Sequence, residues 1–340
     1  MLQAFGRTAL YLSGGGPFGF YHFGVVSCLL EERLLPQVLC GTATGALVAA
    51  LLAVHSSEEM GLLLKSEALC LAPYYLFDDK CSIKKKLVKF LTQDHVVNIE
   101  ELKEFCIQHL GQFTFEEAYQ KTGRAVNIVA LPRATWEVPL LLNHLTSPHV
   151  LLWSAVLSSC SLFELCPAVD LYAKNYVGTT VLWSSLRPTR AKCSELPMKR
   201  IVELFNVNQF ITSQVDPYAQ FPFLYDYCRG VPDHSLLQTC VTSLKSFAAS
   251  EIRHRAIQAS ILVPDLARCF PVLSSLKCMG DILIVPKLTL KQMLSVLTSS
   301  NQNFYKYSLE QGARATWPCV SQIRACIETE LTLIEVLKKT

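Results

Sequence analysis

The chain has 340 residues, of which 51% are apolar and 17% charged, with a formal net charge of +3. That profile supports a domain with a large interior and excludes a disordered chain. So small a net charge gives no reason to expect a nucleic-acid partner, and Lys80, Lys84, Lys85, Lys86 and Lys89 read as a solvated helix face.

Fourteen cysteines occur without a C-x-x-C pair, and residues 1–10 lack the charged-then-apolar order of a secretory leader. The cysteines are therefore expected to be reduced and mostly buried, in a cytosol-facing protein with no metal site and no cofactor. The longest apolar runs, Ala46–Val54 and Val150–Leu157, are far shorter than the roughly 20 residues of a spanning helix. Only peripheral attachment to a membrane or lipid surface remains open.

In chain order, residues 8–13 (TALYLS) form an apolar run that predicts a buried strand. Gly14, Gly15, Gly16, Pro17, Phe18 and Gly19 follow as a tight loop. Phe20, Phe23, Val26, Leu29 and Leu30 then repeat at a helical period over 20–33. Val38-Leu39-Cys40 predicts a second strand, which runs through Gly41–Gly45 into an apolar, small-residue helix over 46–54. This alternation predicts a mostly parallel sheet with helices on its faces.

Residues 57–123 read as helices and 125–131 as a buried strand. An apolar helix is expected over 150–159, a helix over 198–205 and a strand over 210–215. Residues 178–195 are expected to form a surface loop, and 233–260 and 288–338 to be helical.

Gly14, Gly16 and Gly19 satisfy G-x-G-x-x-G between a strand and a helix, which by itself suggests a dinucleotide site. That site also needs an acidic residue at the end of the second strand, and Val38-Leu39-Cys40-Gly41 supplies none. No Gly-Lys-Ser/Thr is present either. The same loop can instead cradle an oxyanion on its amides at a helix N-terminus.

Gly41-Thr42-Ala43-Thr44-Gly45 sits where a G-x-S-x-G nucleophile elbow would lie, but its central residue is Ala43. A methyl group cannot attack a carbonyl. Thr42 and Thr44 flank the apex and are not expected to replace it. Cys40 reads as a core residue, His22 as a structural residue on the helix after the glycine loop, and Trp136, Trp153, Trp183 and Trp317 as packing residues.

The stretch FGRTALYLSGGGPFGFYHFGVVSCLLEERLLPQVLCGTATGALVAALL resembles the start of the patatin-like domain in triacylglycerol lipases of the fungal and plant type. FEEAYQKTGRAVNIV (115–129), SPHVLLWSAVLSSCSL (147–162), ELPMKRIVELFNVNQFITSQVDP (195–217), MGDILIVPK (279–287) and ARATWP (313–318) extend the resemblance. It implies a three-layer α/β/α fold, with an acyl-hydrolase core over 8–218 and a mainly helical extension over 219–340.

It further implies hydrolysis of lipid acyl esters by a Ser–Asp dyad. The oxyanion would be held by Gly14, Gly15, Gly16 and Gly19, beside an elbow of Gly41, Thr44 and Gly45. On this resemblance Ala43 occupies the position of the serine. The dyad aspartate would fall near Thr189, or at Ser185 if Trp183 is the anchor, and no aspartate occurs between Asp170 and Asp216.

The expectation is a catalytically inactive relative that binds a lipid or acyl chain in a groove, or regulates an active lipase. It would act in the cytoplasm, peripherally on a lipid droplet or endoplasmic-reticulum membrane. The alternative is an active lipid esterase with an unorthodox nucleophile.

Overall fold

Alternate residues of the first strand face two different interiors. The computed structural model describes residues 5–14, 16–66, 69, 99–130, 140–160, 169–183, 197–215, 280–286 and 302–339. Within β1 (Arg7–Ser13), Leu10 and Leu12 join one apolar cluster, while Ala9 and Tyr11 join another on the opposite side. Both faces being covered explains why the strand reads as an almost unbroken apolar run.

β2 (Val38–Gly41), β3 (Ala125–Ala130), β4 (Leu140–Leu142), β7 (Val207–Gln214) and β8 (Ile282–Ile284) complete a six-stranded sheet in the order β4-β3-β2-β1-β7-β8. All neighbours are parallel except β4, which runs antiparallel at the edge. The sheet is thus the mostly parallel one predicted.

The larger layer contains α1 (Phe20–Glu31), α2 (Thr44–Val54), α3 (Ser57–Lys65), α4 (Ile99–Leu110), α5 (Phe115–Thr122) and α6 (Leu152–Cys160). α8 (Gln302–Thr316) and α9 (Val320–Lys339) also contribute to it. On the other face, Ile201, Leu204 and Phe205 of α7 (Pro197–Phe205) cover Ala9, Val38, Cys40 and Ala125, with Tyr119 beside them. Cys40 is fully buried, as expected, and burial pushes its thiol pKa up.

α2 is buried on every side, as a helix apolar all round must be. Arg124 closes its C-terminal end: Nη1 donates to the carbonyls of Leu52 and His55 at 2.6 and 2.9 Å. α8 crosses α1 where Gly24 and Gly312 face one another. A Cβ on Gly24 would collide with the Leu309 carbonyl, and one on Gly312 with the Tyr21 carbonyl. The two backbones can approach this closely only because neither position carries a side chain.

Two expectations shift. The helix predicted from 46 begins at Thr44, because the turn hands over directly to it. Within the segment expected to be a surface loop, Thr180–Leu182 forms β6 and pairs antiparallel with β5 (Tyr172–Lys174). A three-residue strand is too short to show a period of two, so the sequence concealed it. Residues 184–195, the helix expected at 233–260 and the lysines at 80–89 lie outside the described residues. The later helical expectation, 288–338, contains α8 and α9.

Candidate functional site

The register of the central strands sets the geometry. Leu12 of β1 pairs with Gly41 on one side and with Ser213 on the other. The carboxyl ends of β2, β1 and β7 therefore lie side by side, where open α/β sheets place their ligands.

β2 passes into α2 through one sharp residue. Ala43 has φ 51° and ψ −121°, a conformation that costs a non-glycine residue about 1–3 kcal/mol and persists only when its surroundings enforce it. The surroundings do so. The Thr42 amide donates to the Leu12 carbonyl at 3.1 Å, and the Gly45 amide to the Thr42 carbonyl at 2.9 Å. The Ala43 carbonyl accepts from Ala46 at 3.0 Å, and the Ala43 amide donates to Ser159 Oγ at 2.9 Å. Ser159 is fully buried near the end of α6. Gly45 sits so close to β1 that a Cβ there would strike the Leu12 carbonyl.

The glycine loop is tied to this turn. Gly14, at φ 62°, donates its amide to Thr42 Oγ1 at 2.9 Å, while its carbonyl accepts from Thr44 Oγ1 at 3.2 Å. Gly16–Gly19 forms a 3-10 turn, and a Cβ on Gly19 would run into the Thr44 side chain. Both threonine hydroxyls that flank the apex are thus spent on clamping loop to elbow.

The structure brings Gly14, Gly19, Gly41, Ala43, Thr44 and Gly45 together, with Gly16 at the start of the 3-10 turn. Gly15, Ser185 and Thr189 lie outside the described residues. Ala43 is 4% exposed, so the apex presents a methyl group in an almost closed setting.

Two contacts were missed by sequence reasoning. Ser159 belongs to an apolar helix and carries no motif of its own. His22, read as a structural residue, is fully buried, and its Nδ1 lies 2.9 Å from Ser213 Oγ. Burial pushes the His22 pKa down to about 4, against the favourable pull of backbone at Gly14 and Ser13. The ring is therefore neutral at physiological pH and couples α1 to the end of β7. Among the described residues, no group of three or more His, Cys, Asp or Glu is placed to hold a metal.

A strained strand-to-helix apex beside a clamped glycine loop, at the carboxyl edge of a parallel sheet, is the architecture of an α/β protein with a nucleophile elbow. Residues 10–181 match the family model described as patatin-like phospholipase. The chain belongs to the patatin-like phospholipase family.

Triacylglycerol lipase 4 of Saccharomyces cerevisiae is 36% identical over 94% of this chain and 37% of its own length. Triacylglycerol lipase SDP1L of Arabidopsis thaliana is 33% identical, over 98% of the chain and 42% of its own length. Triacylglycerol lipase ptl3 of Schizosaccharomyces pombe is 31% identical over 94% of the chain and 67% of its own length. The chain thus spans less than half the length of the first two. The crystal structure of VipD from Legionella pneumophila overlays 93% of this chain and 67% of its own, at 13% identity and a TM-score of 0.40. An overlay that loose bears on neither fold detail nor function.

Proposed function

We propose that this chain is a catalytically inactive member of its family, which keeps the lipase scaffold to bind a lipid or acyl chain, or to regulate an active relative. Its setting would be a cytoplasmic lipid-droplet or endoplasmic-reticulum surface, approached peripherally. The observation that carries the reading is Ala43 at the elbow apex, held in a strained conformation with no group able to attack.

Three further points support it. The Thr42 and Thr44 hydroxyls are engaged with Gly14, so neither stands ready to act as a nucleophile. No aspartate lies between Asp170 and Asp216, so the position near Thr189 offers no base. The relatives matched over most of the chain carry the name triacylglycerol lipase. In this reading Gly14, Gly15, Gly16 and Gly19, with the Thr44 amide, are the remains of an oxyanion hole. In this reading 8–218 is the acyl-hydrolase core and 219–340 a mainly helical extension, which also supplies β8 to the sheet and α8 and α9 to its larger apolar layer. No helix among the described residues is long and apolar enough to cross a membrane.

The test is activity-based labelling. Purified protein is treated with a fluorophosphonate probe and assayed on a triolein emulsion, beside Ala43→Ser. No labelling and no hydrolysis are expected from the native chain. Ala43→Ser is expected to stay inactive on triolein, because a serine without an activating carboxylate is a poor nucleophile. Labelling of the native protein would overturn the reading. Ser213 is the residue to check first in that event, since it already pairs with His22.

A further inference from the structure

The β5–β6 hairpin carries two apolar side chains that stand in solvent among the described residues, the Tyr176 ring having only that of His149 near it, with centroids 6.3 Å apart. Tyr176 is 100% exposed and Val177 83% exposed. They are adjacent, at the tip of a turn rather than scattered over the surface.

The turn is built to hold them out. Its ends are closed by the Gly178 amide donating to the Asn175 carbonyl at 2.7 Å, and the Asn175 amide to the Thr179 carbonyl at 2.9 Å. The Tyr176 amide donates to Asn175 Oδ1 at 2.7 Å. Gly178 takes φ 83°, which a side chain would resist. The base is fixed as well. Lys174 Nζ reaches both carboxylate oxygens of Glu117 at 2.7 Å, and Ala173 bridges to Val150. Tyr172 stacks on Trp153 with centroids 5.3 Å apart.

The composition points to one kind of occupant. From Asn175 to Trp183 (NYVGTTVLW) there is no charged residue, and residues 175–180 are all exposed. Exposed surface is ordinarily rich in charge, and a charge-free projecting tip meets no ion-desolvation penalty on entering a lipid interface. Tyrosine suits that boundary, with an apolar ring and a hydroxyl that can stay hydrated.

We propose that the 175–180 turn is a lipid-surface anchor, with Tyr176 and Val177 entering the headgroup–acyl boundary. This rests on the lipid-surface part of the function proposed above and assigns that contact to a place in the fold. The anchor is separate from the elbow. The hairpin packs at the start of α6, and Ser159 lies seven residues further along that helix, about 11 Å away at 1.5 Å per residue. Docking through the hairpin therefore requires nothing of Ala43.

The experiment is flotation of the full chain with phosphatidylcholine vesicles and with a phosphatidylcholine-coated triolein emulsion. The native chain, Tyr176→Ser/Val177→Ser and Leu62→Ser are compared at low and high salt. Leu62 is 72% exposed on α3 and serves as an equally apolar control. Expected are binding of the native chain that survives high salt, a loss of about tenfold or more in the double variant, and no change in Leu62→Ser. A Tyr176→Trp variant is expected to shift its emission to the blue on binding and to be quenched by brominated lipid.

Binding that the double variant retains overturns the anchor and leaves the lipid-surface reading standing. Absence of any native binding overturns both. If the double variant instead changes only the oligomeric mass of the chain, the tip is a contact between copies and the anchor is overturned. A double variant that loses its cooperative melt is set aside in favour of the Tyr176→Trp signal, whose absence is equally decisive.

Discussion

Ser159→Ala tests whether the elbow is held in its strained form by α6. The substitution removes the one hydroxyl that accepts the Ala43 amide, 2.9 Å away in a fully buried setting. An unsatisfied buried N–H costs about 1–3 kcal/mol, a penalty comparable to the ~1–3 kcal/mol of strain at the apex. For a chain of this size that corresponds to a fall in Tm of roughly 1–4 °C. Thermal unfolding followed by circular dichroism reads it directly.

The discriminating arm is Ala43→Gly. Glycine occupies φ 51° without strain, so the apex no longer depends on Ser159 and its amide can turn to find another acceptor. In that background Ser159→Ala is expected to lose at least half its effect, a coupling that a double-mutant cycle measures. Equal losses in both backgrounds would show that Ser159 merely fills space. No loss at all in Ser159→Ala would refute the pinning argument.

Other expectations concern charge and capping. His22 is neutral when folded, with its pKa lowered to about 4 from 6.5, so between those values the unfolded chain binds more protons. Its contribution is fully present above pH 6.5 and lost as pH falls toward 4, by about 3 kcal/mol; denaturant melts of His22→Gln are expected to show a flatter profile over that window. Glu330 behaves oppositely. It is 2% exposed, burial raises its pKa, and Oε2 accepts the Thr8 amide at 2.8 Å. Its stability is greatest below the ordinary carboxylate pKa and lost as pH rises through the folded value. Glu330→Gln is therefore expected to stabilise the protein at pH 8 and to change little near pH 4. Arg124→Met strips the carbonyls of Leu52 and His55 of their donor, and a loss of about 2–3 kcal/mol is expected in the same melts.

The elbow and the strands around it were legible because their signals are local. Glycines at 41 and 45 bracket a strand-to-helix turn, and apolar runs at 8–13, 38–40 and 125–131 mark strands buried on both faces. What escaped depends on partners far away in sequence. Ser159 meets Ala43 across 116 positions, and Ser213 meets His22 across 191. No periodicity announces a lone serine as the acceptor for one amide. The β5–β6 hairpin escaped for a different reason: its strands are too short to alternate visibly, and Gly178 at positive φ looks like any loop glycine until the turn is seen.

The meeting of Gly24 with Gly312 has a consequence for how the chain reaches this state. α1 leaves no room for anything but the backbone of α8, and Thr8 is bonded to a residue 322 positions later. During synthesis the face of α1 that α8 covers must therefore wait until residues 302–316 have been made. A topology closed by such distant contacts folds slowly and exposes sticky surface meanwhile. The protein is thus expected to lean on chaperones as it is made. Variants at Gly24 or Gly312 should reveal themselves first as poor yield of soluble protein, before any change in what the folded molecule binds.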